Sequence, residues 1–105
     1  MKEIEIVKTI LEYLHYKRIP AWRNQSGMIF IKDKKYGKRA IRMGKAGVSD
    51  IIGCLPNGRI LCLEVKTDKG KPTELQSEFI AEISRNNGLA GIVRSIEQLE
   101  ELLKL

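Results

Sequence analysis

The first two-thirds of the chain change from a helical to an alternating pattern of apolar residues. Residues 3–17 carry apolar side chains at helical spacing, which predicts a helix that ends before Pro20. Residues 21–43 hold two apolar runs around a polar centre, and residues 50–55 and 59–65 hold two more. These four runs are predicted as strands, the last two joined by a Pro-Asn-Gly turn.

The last third returns to helical spacing. Residues 73–86 are predicted as a helix with Thr73 as its N-cap and Gly88 as the left-handed residue after its end. Residues 89–95 are predicted as a strand and residues 96–105 as a final helix. The order α-β-β-β-β-α-β-α indicates a single α/β domain over the whole chain, with a mixed central sheet flanked by helices. The apolar face of the helix predicted for residues 73–86 consists of Leu75, Phe79, Ile80 and Ile83.

The turn between the third and fourth strands predicts their register. Residues 55–59 read Leu-Pro-Asn-Gly-Arg, which fits a three-residue loop with Gly58 in the left-handed conformation. In that register Asp50 lies directly opposite Glu64, on the same face of the sheet. Lys66 follows two residues later and shares this face. A loop of two or four residues would shift the register and separate the two acids.

Two carboxylates in this arrangement need a partner. Buried charges are costly to desolvate, and two adjacent carboxylates repel each other unless a cation lies between them. Oxygen ligands favour Mg²⁺ or Mn²⁺. The alternative is that Asp50 caps a turn and that Glu64 and Lys66 form an exposed ion pair at a strand end.

The positive charge is concentrated in one segment. The net charge is +6, and residues 32–45 contain seven Lys or Arg residues and one Asp, which accounts for all of this excess. Such a segment is typical of proteins that bind a polyanion such as nucleic acid. The alternative is a solvated hairpin whose lysines prevent unwanted strand pairing.

The remaining composition excludes several kinds of chemistry. The chain has one histidine, His15, and two cysteines, Cys54 and Cys62, too few for a disulfide framework or a four-ligand zinc site. The cysteines are predicted to be small buried residues, and Trp22 is predicted to lie in the core. No apolar run approaches bilayer length and no signal peptide is recognisable, so we expect a cytoplasmic protein without membrane contact.

Three stretches resemble a known family. Residues 47–53 (GVSDIIG), 63–76 (LEVKTDKGKPTELQ) and 91–95 (GIVRS) are similar to the stand-alone form of the VRR-type (virus-type replication-repair) nucleases, a branch of the PD-(D/E)xK superfamily. The resemblance extends over nearly the whole chain. One departure is Ser49, which stands where the superfamily commonly has proline before the first acid.

The resemblance implies a role for each matching residue. Asp50 and Glu64 would bind Mg²⁺ or Mn²⁺ together with the backbone carbonyl of Val65. Lys66 would orient the attacking water and offset the charge that develops on the phosphate. Gln76 would position the nucleophile or a neighbouring ligand from the first turn of its helix.

A further acid is implied in the opening helix. Glu3 shares a helical face with Val7, Ile10 and Leu14, whereas Glu5 lies on another face. Glu3 is therefore the preferred residue to face the ion through a water molecule. The alternative is that it only stabilises the positive end of the helix dipole.

The implied activity is hydrolysis of DNA by a metal-dependent endonuclease. Stand-alone members of the family act on branched DNA such as four-way junctions, which implies a homodimer because two strands must be cut. The alternatives are a non-catalytic DNA-binding module and a repair or restriction-type nuclease for another DNA structure. The predicted DNA contacts are Arg23, Lys34, Lys35, Lys38, Arg39, Arg42 and Lys45.

Overall fold

The computed structural model describes residues 1–25, 27–35 and 37–105, and the side chains of all of these except 27–31, 33 and 41–43. Within them the elements are α1 (Glu3–Tyr16), β1 (Ala21–Arg23), β2 (Gly27–Asp33), β3 (Gly37–Met43), β4 (Ile51–Cys54), β5 (Ile60–Val65), α2 (Glu74–Arg85), β6 (Leu89–Val93) and α3 (Ile96–Leu103). None of the helices in the described residues has the length and apolar character needed to cross a membrane.

The strands form two sheets. The main sheet has the order β1-β4-β5-β6, with antiparallel pairs except for the parallel pair β5–β6. Strands β2 and β3 form a separate antiparallel hairpin. The predicted α/β class, mixed sheet and element order are confirmed. The first predicted strand is divided in two, because β1 joins the main sheet while β2 pairs only with β3.

The core lies on one face of the main sheet. α1 contacts β1, β5 and α3, and α3 contacts β6. The side chains of alternate strand residues fill this layer together with the apolar face of α1, which follows from the period-two geometry of strands. α2 packs on β5 and β6 from the opposite face. The most buried core residues include Ile10, Leu14, Ile51, Leu61, Leu63 and Leu99.

α2 covers the sheet less completely than its sequence pattern predicts. Leu75 is 54% exposed, so its predicted place on an inner face is wrong. Phe79, Ile80 and Ile83 are half-buried. The physical reason is that α2 contacts only two strands of the four-stranded sheet, and Leu75 lies against the loop at Gly47 rather than over a strand.

The ends of α2 are fixed by local hydrogen bonds. The predicted N-cap is confirmed, since the Thr73 hydroxyl accepts from the Gln76 amide at 3.2 Å. At the other end Asn87, with φ +73°, adopts the left-handed conformation that was predicted for Gly88. Gly88 is needed for another reason, because a Cβ there would lie 2.5 Å from Cγ2 of Ile83 and 2.7 Å from Cγ2 of Ile60.

Gly47 brings the loop before β4 against the start of α2. Its φ is +83°, and a Cβ at this position would lie 2.7 Å from the carbonyl oxygen of Leu75. Gly47→Ala should therefore lower the free energy of unfolding by about 3 kcal/mol, through strain and backbone displacement together. Gly58→Ala is the matched control, because Gly58 has φ +87° but open space around it.

The control should lose about 1 kcal/mol, the cost of the left-handed conformation alone. Urea denaturation of both variants measures the difference. Equal losses would show that the contact between Gly47 and α2 contributes nothing.

The two cysteines differ in their surroundings. Cys62 is buried as predicted, and burial raises the pKa of its thiol to about 11. Cys54 is exposed, so the prediction that both are buried is wrong for this residue. It lies at the end of β4, beyond the strands that α2 covers.

Candidate active site

The turn at residues 55–59 has the predicted geometry. The Leu55 amide donates to the Arg59 carbonyl at 2.9 Å, the Gly58 amide donates to the Leu55 carbonyl at 2.8 Å, and Gly58 has φ +87°. The ladder between β4 and β5 runs from the pair Cys54–Ile60 to the pair Ile51–Leu63. The next pair along this register is Asp50 and Glu64, as predicted from the turn type.

Glu64 is a buried acid with an incompletely satisfied carboxyl group. Only 1% of its surface is exposed. The side chain of Gln76 donates to its Oε1 at 3.1 Å. Its Oε2 is buried and accepts no hydrogen bond from the described residues, so the ionised form leaves this oxygen without a partner. The site thus holds a buried acceptor oxygen that no donor of the described residues reaches, and such oxygens are rare in folded chains.

The electrostatics of Glu64 follow from this burial. Its pKa is raised to about 8, first by desolvation and then by hydrogen bonding to Asp50 and repulsion from its charge. Lys66 acts in the opposite direction, and Glu3 raises the pKa further. Without a cation, Glu64 therefore holds a proton at neutral pH, because the charged form is disfavoured by its surroundings.

Asp50 is held in place by the backbone of β5. Its Oδ2 accepts from the Val65 amide at 2.8 Å, and its own carbonyl accepts from the Asn24 amide at 2.7 Å. The carboxylate of Asp50 is thus hydrogen-bonded to Val65, whose backbone carbonyl is the further predicted metal ligand. β1 and β5 together fix Asp50 between them.

Lys66 lies beside Glu64 in the site. Its Nζ is 3.8 Å from Oε1 of Glu64, and 13% of its side chain is exposed. The Lys66 amide donates to the Val93 carbonyl of β6 at 3.1 Å, which continues the parallel pairing beyond β5. The ammonium therefore lies just beyond the end of β5, beside the carboxyl group of Glu64.

Gln76 connects the site to α2. Its Oε1 accepts from the Thr73 amide at 2.8 Å, which completes a capping box at the start of the helix. Its Nε2 donates to Glu64. The Gln76 side chain thus caps α2 and orients Glu64 at the same time.

Of the two acids in the first turn of α1, Glu3 acts electrostatically on Glu64. The charge of Glu3 raises the pKa of Glu64, whereas Glu5 is not among the groups that shift this pKa. Both acids lie in the first turn of α1 and both are exposed. The electrostatic effect agrees with the preference for Glu3 that the helical face indicated.

A hard divalent cation fits these residues. Glu64 and Asp50 present carboxylate oxygens to each other, and one of these oxygens is buried without a partner. Within the described part of the chain no group of three His, Cys, Asp or Glu residues is arranged to hold a metal. Proteins usually bind Mg²⁺ through one or two carboxylates, and backbone, water and substrate oxygens complete the coordination shell.

Arg94 is a residue of the site region that had no predicted role, although it lies in the GIVRS stretch. Its Nη1 donates to the carbonyls of Thr67 and Gly70, each at 2.6 Å. Gly70 in turn lies against Lys66, since a Cβ there would be 3.4 Å from Cβ and Cδ of that lysine. Arg94 thereby holds the loop that packs on the stem of Lys66.

The predicted DNA contacts divide into several groups. Four exposed side chains belong to the β2–β3 hairpin and are called the hairpin cations: Lys34, Lys35, Lys38 and Arg39. Arg42 lies on β3, but its side chain is outside the described residues. Lys45 has its Nζ 3.8 Å from Oε2 of Glu82 and 5.9 Å from the centre of the Phe79 ring, so it contacts α2.

β1 places two neighbouring residues on opposite faces of the sheet. Arg23 pairs with the core residue Ile51, so alternation directs its side chain away from the face that carries Glu64. Trp22 is 55% exposed, so the prediction that it lies in the core is wrong. The indole points to the face that α2 covers only in part.

Fold and site together define a class of protein. The PD-(D/E)xK nucleases have an acid at one strand of a mixed sheet and Glu-x-Lys at the end of the next strand. Asp50, Glu64 and Lys66 have this arrangement. The chain belongs to the VRR-NUC domain family, whose family model matches residues 4–97. Searches of curated proteins and of solved structures returned no significant match. The family is a nuclease family, which generally uses divalent metal ions and implies DNA as the substrate.

Proposed function

We propose that the protein is a Mg²⁺- or Mn²⁺-dependent endodeoxyribonuclease that hydrolyses phosphodiester bonds in branched DNA, such as a four-way junction. The observation that carries this proposal is the buried oxygen of Glu64 beside Asp50, to which no described residue donates a hydrogen bond. A binding module has no use for a buried, incompletely satisfied acid beside Asp50, whose negative charge repels the phosphates that the module must hold. A cation between the two acids removes this repulsion.

Each site residue has a part in this reaction. Asp50, Glu64 and the Val65 carbonyl would hold the cation. When bound, a divalent ion supplies Lewis-acid catalysis, in that it polarises the phosphate and activates water as the nucleophile. Lys66 would orient the attacking water and stabilise the charge that develops on the phosphate. Gln76 keeps Glu64 in place through its hydrogen bond.

Branched DNA and a homodimer are proposed together. A four-way junction is resolved by two symmetric cuts, and one copy of this chain has a single Asp50–Glu64–Lys66 group. Two copies related by a two-fold axis would supply the second site. Glu3 would act from α1 through a water molecule, since its charge reaches Glu64.

The hairpin cations would contact phosphates without reading sequence. Replacing all four by glutamine should lower the slope of log Kobs against log salt by about 3 to 4, because each lost phosphate contact removes about 0.9. Equilibrium binding to a junction in EDTA, over a series of salt concentrations, measures this slope. The control removes four exposed positive charges from the helices and the residues that end them: Lys8, Lys17, Arg85 and Lys104. Equal changes in both variants would indicate a general charge effect rather than a hairpin contact.

Arg94 should affect cleavage without affecting metal binding. Arg94→Ala releases two loop carbonyls and loosens the support of Lys66, so cleavage should fall roughly 10- to 100-fold through misplacement of the ammonium. The affinity for Mg²⁺ should change little, because the hydrogen bonds of Arg94 go to the loop and not to Asp50 or Glu64. Calorimetric titration and a cleavage assay on the same preparation separate the two effects. Joint loss of both would mean that Arg94 only maintains the fold.

The proposed function is tested with a panel of labelled substrates. Wild type is incubated with a four-way junction, a flap, a linear duplex and a single strand, in Mg²⁺, Mn²⁺ or EDTA. Symmetric, metal-dependent cuts in the junction alone would support the full proposal. Equal cutting of all four substrates would keep the nuclease and reject branched-DNA selectivity. Tight, salt-sensitive binding without cleavage in any metal would favour the binding module.

A further inference from the structure

An exposed tryptophan lies on the face of the main sheet that carries the candidate active site. Trp22 pairs with Ile52, and Ile52 pairs with Cys62, so their side chains lie next to one another. Glu64 is on the same face, two residues beyond Cys62. Ala21, the neighbour of Trp22, points the other way and packs against the core. The indole therefore stands on the active-site face, with 55% of its surface exposed.

The tryptophan is also close to the metal-binding acids. Asp50 precedes Ile52 by two residues, and Ile52 is the partner of Trp22. With about 3.3 Å per residue along a strand and about 4.8 Å between strands, the α-carbons of Trp22 and Asp50 are roughly 8 Å apart. At the rise of about 3.4 Å per nucleotide in stacked DNA, that distance spans about two nucleotides of one strand.

Nothing in the described fold requires an aromatic residue at this place. α2 packs on β5 and β6 and leaves β1 exposed at the far side of the face. The indole contributes little to the core layer, which lies on the other side of the sheet. A large apolar ring left this exposed beside a candidate catalytic site is typical of a ligand contact.

We propose that Trp22 is a stacking platform for an unstacked nucleobase next to the phosphodiester that is cut. This inference rests on the proposed function and names the feature of the substrate that the site recognises. Inside a continuous duplex both faces of a base are covered by its neighbours. At a branch point, flap or single strand a base exposes a π-face, and an indole can stack on it.

The charge of the neighbouring segment favours DNA over a second copy of the chain. The hairpin that carries the hairpin cations begins at Gly27, shortly after β1. Together with the net charge of +6, this basic segment repels an identical surface and attracts a polyanion. The phosphate backbone would bind along the hairpin, which leaves a base free to reach the indole.

The chain carries its own reporter for this contact. Trp22 is the only tryptophan, so intrinsic tryptophan fluorescence reports on this residue alone. Wild type is titrated in EDTA with a four-way junction and with a fully paired duplex of the same arm sequence. We expect saturable quenching by the junction and much weaker quenching by the duplex.

Three variants complete the test. Trp22→Ala should bind the junction about 10-fold more weakly and the duplex unchanged, since one stacking contact is lost. Trp22→Phe keeps a ring and should bind within about 3-fold of wild type. Tyr16→Ala is the matched control, because Tyr16 is 81% exposed at the end of α1 that lies away from Glu3, and it should change neither affinity. Circular dichroism verifies that each variant folds.

Two results would overturn the proposal. One is that Trp22→Ala binds the junction as tightly as wild type, or loses duplex binding to the same extent. The other is a change of tryptophan fluorescence when the protein is diluted without DNA, in the concentration range where sedimentation shows a dimer dissociating. That result would mean that a second copy covers the indole. Since these titrations are done without metal, they are independent of cleavage. An inactive protein whose fluorescence is quenched selectively by the junction would reject the nuclease but keep the stacking contact.

Discussion

Glu64→Gln should abolish divalent-cation binding and, at the same time, make the metal-free protein more stable at about pH 8. The substitution removes the negative charge that the cation needs. It also replaces a carboxyl group whose pKa is raised from 4.5 to about 8 by burial and by Asp50. A glutamine amide can donate to Asp50 and still accept from Gln76, so the buried oxygen without a partner disappears.

The direction of the pH dependence follows from the raised pKa. Below about pH 4.5 Glu64 is protonated in both the folded and the unfolded chain, and its contribution to stability is complete. As the pH rises towards 8, the unfolded chain ionises first, so the folded state loses stability. The metal-free wild type should thus lose on the order of 4 kcal/mol over this interval, and Glu64→Gln should not.

Thermal melts in EDTA at several pH values, repeated with Mg²⁺ or Mn²⁺, measure both effects. Wild type should be stabilised by the cation at high pH, and Glu64→Gln should show no response to it. Glu101→Gln is the matched control, because this carboxylate is exposed and should behave like wild type. A cation-dependent rise in melting temperature that persists in Glu64→Gln would place the ion elsewhere.

Lys66→Ala should lower DNA cleavage by about 10²- to 10³-fold while Mg²⁺ binding is retained, because the ammonium acts on the water and the phosphate rather than on the ion. Its Nζ lies 3.8 Å from Glu64, close enough to reach groups held at the same carboxylate. Single-turnover cleavage at saturating DNA, with calorimetric titration of Mg²⁺, measures the two quantities separately.

Lys69→Ala supplies the control for Lys66. Lys69 belongs to the same loop region but is exposed, so its removal tests the loss of one positive charge near the site. Cleavage by Lys69→Ala should stay within about 3-fold of wild type, the scale of a change in weak phosphate contact. Unchanged cleavage by Lys66→Ala would remove the lysine from the proposed mechanism.

The parts of the structure that the sequence predicts depend on local chemistry. Turn geometry is set by a few adjacent residues, and the Pro-Asn-Gly turn therefore gives the register that brings Asp50 beside Glu64. The capping box of Thr73 and Gln76 is local in the same way. Binary patterning is enough for the element order, because period 2 and period 3.6 are distinguishable over these lengths.

The parts that sequence reasoning missed depend on what lies across the sheet. The spacing of apolar residues indicates which side chains share a face of a strand or helix, but not whether another element covers that face. Trp22 and Leu75 are therefore predicted as buried and are exposed. Arg94 reaches the carbonyl of Thr67, which is 27 residues away in the chain. No short-range pattern indicates such a contact. The usable signal is that Arg94 lies within the stretch 91–95 (GIVRS), which resembles the family.

The most direct test of the central claim is the cleavage of a labelled four-way junction by wild type and Glu64→Gln, each in Mg²⁺, Mn²⁺ and EDTA. The proposed site predicts that wild type cuts in at least one of the two metals and not in EDTA, and that Glu64→Gln cuts in none although it is folded and more stable without metal. Cleavage by Glu64→Gln at the wild-type rate, or cleavage by wild type in EDTA, would contradict a metal-dependent site at Asp50 and Glu64.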